Sequence, residues 1–321
     1  MKRMALWSAV FLLAFVAVSW AQQAFPQRPI EFVIMAGTGG GADRYARFIS
    51  ALVDKHRLSP QPLLPVNRPG GAGAVAMNYV YSKKGDPYVI VITLNSFITT
   101  PLIQRLPFSY RDFTPIAMMG LDTFMLWVPA DSPFQTAKDL LDAAKARSLT
   151  VAGTGSKQED EILFRTMERR FGLKPFRYVP YKGGGAVAAA LVGKQVEATV
   201  NNPSEQLSFY KDGRSRPLAV FLKQRVDQPL WKDVPTIKEA TGEEIEYVMM
   251  RGIFAPGGIP EEARRWLTGL MKKVFATEEF QKFLLDNALF PKFMPGEELG
   301  RFVAEFSAFH EGLMRDLGWI Q

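Results

Sequence analysis

The stretch FVIMAGTGGGADRYARFI, from Phe32 to Ile49, decides the fold class. It opens with an almost unbroken apolar run, which is typical of a strand buried on both faces of a parallel sheet. A glycine-rich loop follows, and beyond it apolar residues recur at helical spacing, which predicts a helix from about Asp43 to His56. The order strand, loop, helix indicates an α/β protein with the loop at the carboxyl end of a strand.

The same order recurs through most of the chain. Further strands are predicted in segments that alternate with helices, namely PLLPVN, YVIVI, FTPIAMMG, FMLWVPA, LTVAG, FRYVPY, VEATV and RPLAVFL. The region after about Pro260 is predicted to be mostly helical. We therefore expect an α/β fold with two parallel or mixed sheets flanked by helices, in two lobes with a cleft between them. Lobe I is predicted to comprise 22–128 and 218–321 and lobe II 129–217, with crossings near 128–131 and 214–218.

The N-terminus has the form of a secretory signal peptide, residues 1–21. Lys2 and Arg3 precede the apolar run ALWSAVFLLAFVAV, and SWA ends at Ala21 in the small–x–small pattern of a cleavage site. An uncleaved anchor is the alternative, although the run is short for a membrane span. The sequence predicts export to the periplasm with cleavage after Ala21.

Composition excludes several classes of function. The chain has no cysteine, which rules out disulfides and thiolate metal sites, and its two histidines, His56 and His310, have no metal-ligand partner nearby in sequence. The net charge of +7 is spread along the chain without a basic run, so nucleic acid is not an expected partner. No metal or cofactor is expected.

The first glycine-rich loop, 37–43, has the chemistry of an anion site. Glycine has no Cβ and adopts positive φ readily, so the loop can present successive backbone amides beside the positive end of a helix. Asp43, in the first helical turn, is expected to cap that helix. Gly37, Gly39 and Ala42 also satisfy the dinucleotide fingerprint, but the acidic residue that should follow is replaced by Asn67-Arg68. An arginine there leaves NADP open on this loop alone, whereas export argues against it.

A second loop, AGTGSK, repeats the pattern in the other lobe, and Ser156 and Glu159 are spaced like a capping box. Taken together, the two loops favour a clamp that closes on one anion from both sides. Asn95-Ser96, Tyr181-Lys182 and Asn201-Asn202 each follow a predicted strand and are expected to orient the ligand. The segment NRPGGAG, from Asn67 to Gly73, is interpreted as a structural turn.

These segments together resemble the Bug-type receptors of tripartite tricarboxylate transporters. The resemblance spans about 25–321 and includes FPQRPIEFVIMAGTGGGADRYAR, VNRPGGAGAVA, VPADSPFQTAKDLL, VPYKGGGAVAAALVGKQVEATVNNPSEQ and RGIFAPGGIPEEA. It implies a two-lobed, type II-like periplasmic binding protein that closes on a carboxylated metabolite. It also implies delivery to the large and small subunits of a membrane permease, by a receptor expected to be monomeric. This chain departs from many relatives in MAGTGGGAD and in Lys157-Gln158-Glu159-Asp160.

Residue by residue, the loops and the polar strand ends give the predicted ligand-binding set. It comprises Gly37, Thr38, Gly39, Gly40, Gly41, Ala42, Asp43, Asn95, Ser96, Gly153, Thr154, Gly155, Ser156, Lys157, Tyr181, Lys182, Asn201 and Asn202. Lys157 and Lys182, if they face the cleft, would favour ligands with more than one carboxylate.

Two alternatives remain open. An enzyme acting on an organic acid would need a nucleophile with an oriented base, and no G-x-S-x-G or evident triad is present. The acidic run Glu159-Asp160-Glu161 is better explained by the dipole of the helix that it begins. A ligand sensor read by a kinase would use the same clamp, and the sequence does not separate it from a transport receptor.

Overall fold

The computed structural model describes residues 25–321, and these form two sheets with helices packed around them. The predicted signal peptide lies outside the described residues. None of the helices in 25–321 combines the length and apolar character that a membrane crossing requires.

The first sheet has six strands in the order β11-β4-β10-β3-β1-β2. The strands are β1 (Ile30–Ile34), β2 (Leu63–Asn67), β3 (Val89–Ile92), β4 (Phe113–Thr123), β10 (Val248–Pro256) and β11 (Phe290–Pro295). β1 pairs in parallel with β2 and β3, whereas β10 and β11 add antiparallel pairs. The second sheet has five strands in the order β7-β6-β8-β5-β9. They are β5 (Met125–Pro129), β6 (Thr150–Thr154), β7 (Arg177–Tyr181), β8 (Ala198–Asn201) and β9 (Ser215–Val220).

The helices connect these strands and cover their faces. They are α1 (Gly41–Lys55), α2 (Ala74–Tyr81), α3 (Ser96–Gln104), α4 (Ala137–Ala146), α5 (Glu159–Phe171), α6 (Gly184–Val192), α7 (Pro203–Lys211), α8 (Ile237–Thr241), α9 (Glu261–Phe275), α10 (Glu278–Asp286) and α11 (Gly296–Asp316). Short 3-10 turns span Gly71–Gly73 and Tyr110–Asp112. The predicted two mixed sheets flanked by helices are confirmed.

Local sequence signals explain many of these elements. β3 is buried at every position, as its VIVI run predicts for a central strand. α4 begins with a complete capping box between Thr136 and Asp139. The predicted capping box of Ser156 and Glu159 is wrong, because α5 has Gln158 as its N-cap and Glu159 bonds elsewhere.

The chain passes from the first sheet to the second at Phe124, between β4 and β5, and returns between β9 and β10. The first passage comes before the expected crossing at 128–131, and the second comes after the expected crossing at 214–218. In this sheet assignment β5 belongs with the second sheet, although most of its residues fall in the segment assigned to lobe I. The lobe boundaries 22–128, 218–321 and 129–217 stay a prediction.

Candidate functional site

A cavity of about 230 Å³ lies where the two sheets meet. Its walls follow the carboxyl ends of strands from both sheets, which is where ligands bind in open α/β folds. The lining residues are Met35, Ala36, Gly70, Gly71, Ala72, Gly73, Leu94, Thr154, Gly155, Ser156, Gln158, Pro180, Tyr181, Lys182 and Gly183. The cavity is therefore built jointly by the two halves of the molecule.

The wall from the first sheet is the turn that precedes α2. Gly70, Gly71, Ala72 and Gly73 all have positive φ, at 124°, 56°, 55° and 89°. Thr100 Oγ1 donates to the Ala72 carbonyl at 2.7 Å, and Gln104 Nε2 donates to the Gly71 carbonyl at 2.9 Å. Side chains of α3 thus hold this turn in place through hydrogen bonds to its carbonyl oxygens.

The N-terminus of α2 is suited to an anion. Gly73 is its N-cap, and its first turn carries no acidic residue. The Ala74 amide donates to the Gly71 carbonyl and the Val75 amide to the Gly70 carbonyl, so the helix contributes the positive end of its dipole rather than these amides. The segment from Asn67 to Gly73, predicted to be a structural turn, does contain a 3-10 turn at Gly71–Gly73. Gly70–Gly73 also forms a wall of the cavity, which the sequence analysis did not predict.

The opposite wall comes from the loop after β6 and the end of β7. Gly155 has a φ of 56°, a conformation that favours glycine, and a Cβ there would require the Gln158 side chain to move. Its amide donates to the Tyr181 carbonyl at 2.8 Å. Thr154 uses its amide and its Oγ1 to bind Asp160 Oδ2, at 2.6 and 3.0 Å. Ser156 and Lys182 are exposed and line the cavity.

The first glycine-rich loop, 37–43, lies outside the cavity lining, at a contact between the two sheets and their helices. Gly37 donates its amide to the Lys182 carbonyl at 3.0 Å, and Gly41 donates to Glu205 Oε1 at 3.0 Å. A Cβ on Gly185 would lie 3.0 Å from the carbonyl carbon of Gly39. Here glycine allows the two halves of the molecule to approach each other, backbone against backbone.

The predicted loop residues Gly37, Thr38, Gly39, Gly40, Gly41, Ala42 and Asp43 are absent from the cavity wall within 25–321. Asp43 acts as the expected cap, because its Oδ2 accepts from the Gly39 amide at 3.0 Å. The expected clamp of two amide loops on one anion stays a prediction, because of these two loops only the second lines the cavity among 25–321. Direct contact of 37–43 with a ligand stays a prediction that the cavity lining does not support.

The three asparagines predicted at strand ends are buried and form hydrogen bonds within the protein. Asn95 donates to the Val248 carbonyl at 2.8 Å and accepts from the Met250 amide at 3.0 Å. Asn201 donates to Glu205 Oε2 at 2.9 Å, and Asn202 donates to the Thr123 carbonyl at 2.6 Å. These amides join structural elements, and a ligand contact by Asn95, Asn201 or Asn202 stays a prediction.

Ser96, the first residue of α3, donates its amide to Glu159 Oε1 of α5 at 2.7 Å. Both residues are buried, and Glu159 Oε2 has no hydrogen-bond partner among 25–321. Burial raises the pKa of Glu159, and it raises the pKa of Asp160 well above the usual range. Gly153 cannot carry a side chain here, since its Cβ would lie 2.3 Å from Asp160 Cβ.

A buried ion pair lies close to these contacts. Arg251 on β10 donates through Nε to Asp122 Oδ2 at 3.0 Å and also contacts it through Nη2. Burial raises the pKa of Asp122 to about 6, and the neighbouring Arg251 opposes this shift. Sequence patterns gave no signal for this pair, because its partners are 129 positions apart.

Lys157 and Lys182, which were both predicted to bind the ligand, lie in different parts of the structure. Lys182 lines the cavity, whereas Lys157 Nζ lies 5.9 Å from the ring centroid of Trp319 near the C-terminus. That distance is within the range of a cation–π contact. Lys157 is absent from the cavity lining within the described residues.

Metal-binding groups and exposed, oriented histidines are common in enzyme active sites, and residues 25–321 show little of either. No group of three His, Cys, Asp or Glu within 25–321 is placed to hold a metal ion. His310 is fully buried, with Nδ1 2.8 Å from the Phe306 carbonyl and Nε2 3.0 Å from the Tyr247 hydroxyl. His56 contacts Glu279 at the surface, 3.1 Å away.

The chain matches one family model and several known proteins. The family model for the tripartite tricarboxylate transporter family receptor, TctC, matches residues 48–319. A UPF0065 protein in the gbd 5′ region of Cupriavidus necator is 26% identical over 314 residues, covering 97% of this chain and 94% of that protein. BugT of Bordetella pertussis is 22% identical over 311 residues, covering 94% and 93%.

Solved structures show the same architecture. The periplasmic binding protein BugD has a TM-score of 0.85 at 21% identity, covering 92% of this chain and 99% of that one. R. palustris Rpa4515, solved with adipate, has a TM-score of 0.85 at 25% identity, covering 92% and 98%. These neighbours are two-lobed periplasmic binding proteins, which confirms the predicted fold class.

Proposed function

Since this chain belongs to the tripartite tricarboxylate transporter receptor family, we propose that it captures a small organic acid between its two lobes and delivers it to a membrane permease. The family and the fold are those of extracytoplasmic binding receptors. The observation that carries the proposal is the cavity between the N-terminus of α2 and the loop after β6, built from both sheets.

The proposed ligand is a carboxylate, held first by the turn before α2. Gly71 and Ala72 offer main-chain amides, and α2 adds the positive end of its dipole, with no acidic side chain in the first turn of α2 to compete. On the opposite wall, Ser156 and Lys182 supply side-chain donors. Rpa4515, which was solved with adipate, supports a carboxylate as the ligand class.

The strength of such a site is sufficient for a receptor. A hydrogen bond to a charged group contributes about 1.5–3 kcal/mol. Roughly four to six of them, less the costs of association and ordering, reach the ~8 kcal/mol of micromolar binding. No cofactor or metal is needed for this purpose.

Closure of the lobes is proposed to accompany binding. Gly37 to Lys182, Gly41 to Glu205 and Ser96 to Glu159 are contacts between the two sheet units. They lie beside the cavity, so bringing them together also encloses the ligand. This is hinge closure of the kind seen in two-lobed binding proteins.

The remaining parts of the proposal concern location and partners. We propose that the signal peptide is cleaved after Ala21, that the mature receptor is a periplasmic monomer, and that it docks on the large and small permease subunits. The family supports the permease as partner.

The test is a thermal-shift screen of protein lacking residues 1–21 against mono-, di- and tricarboxylates, aromatic acids and acidic amino acids. A ligand that binds only the folded form raises Tm, by an amount that grows with concentration. NMR of the bound acid then checks that it is released unchanged. A folded protein whose Tm responds to no carboxylate would contradict the proposal, and conversion of the acid would indicate an enzyme.

A further inference from the structure

The amide at the N-terminus of α3 is already occupied by a carboxylate of the protein itself. Ser96 donates this amide to Glu159 Oε1 at 2.7 Å, and the two side chains are 0% and 1% exposed. The first turn of α3 carries no acidic residue of its own. Glu159, which comes from the other sheet unit, therefore stands where an anion would bind to this helix.

Other backbone amides near the junction of the two sheets also donate hydrogen bonds to carboxylates of the protein itself. Asp160 accepts from the Thr154 amide, Glu205 accepts from the Gly41 amide, and Asp43 accepts from the Gly39 amide. The chain thus supplies internal carboxylates where the two glycine-rich loops would otherwise offer amides. The turn before α2 lines the cavity, and the first turn of α2 has no such residue.

Among the described residues, buried acids outnumber buried bases behind the cavity wall, while Lys182 is the one charged residue of the lining itself. Asp122, Glu159, Asp160 and Glu205 are all buried acids, and the one buried arginine among 25–321, Arg251, is engaged with Asp122. Glu159 follows the lining residue Gln158 directly, and its Oε2 has no hydrogen-bond partner in 25–321. Ser96, which binds Glu159, has its Oγ 3.5 Å from the place of a Cβ on the lining residue Gly73. Glu159 is therefore immediately behind the cavity wall.

We propose that Glu159 makes this receptor selective for monocarboxylates, with the single carboxylate at the turn before α2 and an uncharged remainder towards the loop after β6. This proposal rests on the carboxylate-binding function proposed above and names the class of acid. A second carboxylate would lie near Glu159, and like charges at short range repel each other. Burial raises the pKa of Glu159, so a further negative charge is opposed by repulsion or by uptake of a proton.

The experiment compares each diacid with its monoamide, which has nearly the same shape and one charge fewer. Affinities for succinate, succinamate, adipate and adipamate are measured by isothermal titration calorimetry on the wild-type protein lacking residues 1–21. We expect each monoamide to bind roughly tenfold more tightly than its diacid, or better.

Glu159→Gln is the decisive variant, because glutamine keeps the acceptor for the Ser96 amide and removes the charge. We expect it to bring the affinity ratio of monoamide to diacid close to one. Glu161→Gln is the matched control. Glu161 is in the same first turn, but it binds the Lys157 amide and Arg165, so the wild-type ratio should persist.

The outcomes separate the two proposals. If succinate and adipate bind wild type as tightly as their monoamides, or if Glu159→Gln leaves the ratio unchanged, the selectivity is overturned and the receptor function stands. If no carboxylate in the wider panel binds the folded wild type, the receptor function itself is overturned. The wild-type ratio decides the question even if Glu159→Gln does not fold.

Discussion

Arg251 on β10 donates a hydrogen bond to Asn202 Oδ1 at 3.1 Å, and so joins the first sheet to the N-cap of α7 beside the second. The same guanidinium holds Asp122, and both charged side chains are 1% exposed. Asn202 in turn donates to the Thr123 carbonyl at the point where the chain leaves the first sheet. One buried network therefore fixes the junction between the two halves of the molecule.

Replacing Arg251 by Ala should lower the free energy of unfolding by about 3–5 kcal/mol, because Asp122 would be left buried without a counter-charge. Urea denaturation followed by circular dichroism measures the change. The double variant Arg251→Met with Asp122→Asn should recover part of the loss. A single variant within about 1 kcal/mol of wild type would contradict this role of the ion pair.

Gly37→Ala should weaken ligand binding while leaving the fold intact. A Cβ at this position would lie 2.9 Å from the Lys182 carbonyl, across the contact between the two sheet units. Opening the lobes relieves that clash, so its cost of about 1–3 kcal/mol falls on the closed, ligand-bound form. Calorimetric affinity and Tm, measured together, separate the two effects.

Gly312→Ala is the matched control for this substitution. A Cβ at Gly312, on α11, would have no atom within 4 Å apart from its chain neighbours and the backbone of its own helix. It should leave affinity unchanged. Equal affinities for the Gly37 and Gly312 variants would show that the close approach of the glycine loops does not matter for binding.

His310 should make stability depend on pH below neutrality. Burial lowers its pKa from 6.5 to about 4, so the folded protein keeps the imidazole neutral. Since the unfolded chain takes up the proton first, this contribution is complete above pH 6.5 and is lost as pH falls towards 4. The loss between pH 7 and 4.5 is about 2–3 kcal/mol.

The variant His310→Gln measures this contribution as a difference. Glutamine can still donate to the Phe306 carbonyl and accept from Tyr247, but it does not titrate. Denaturation midpoints at pH 7 and 4.5 should therefore fall less for the variant than for wild type. Identical pH dependence in the two proteins would be evidence against a buried neutral imidazole.

The two lysines should differ in their effect on binding. Lys182→Ala is expected to weaken carboxylate affinity several-fold, by about 1 kcal/mol, because this side chain lines the cavity. Lys157→Ala should change affinity less and should instead alter tryptophan fluorescence, since Lys157 lies beside Trp319. A larger loss of affinity for Lys157→Ala would place that lysine in the site after all.

Sequence patterns identified the fold because each parallel strand of its core has a recognisable pattern within its own segment of sequence. The apolar runs of β1 and β3 and the glycine-rich loop after β1 can each be recognised from a single segment of sequence. β10 and β11 were missed. β11 pairs only with β4, at the sheet edge, and has prolines at the second and last positions of the FPKFMP segment, a pattern that argues against a strand.

The site was harder to predict because its geometry depends on contacts between distant residues. Both glycine-rich loops could offer amides, but only the structure shows that Asp160 and Glu205 occupy them. The turn at Gly70–Gly73 carries the same glycine signal as those loops, in the sequence PGGAG. It was discounted because proline and glycine together are equally typical of a structural turn.

The most direct test of the carboxylate site is the affinity of Ala72→Asp compared with Ala72→Asn. Ala72 lines the cavity with a φ of 55°, a conformation that asparagine and aspartate both tolerate. The two variants have nearly the same shape, so they differ mainly in a negative charge at the proposed carboxylate position. Calorimetry with the best acid from the screen should show at least a roughly tenfold weaker affinity for Ala72→Asp. Equal affinity of the two folded variants would contradict carboxylate binding at the turn before α2.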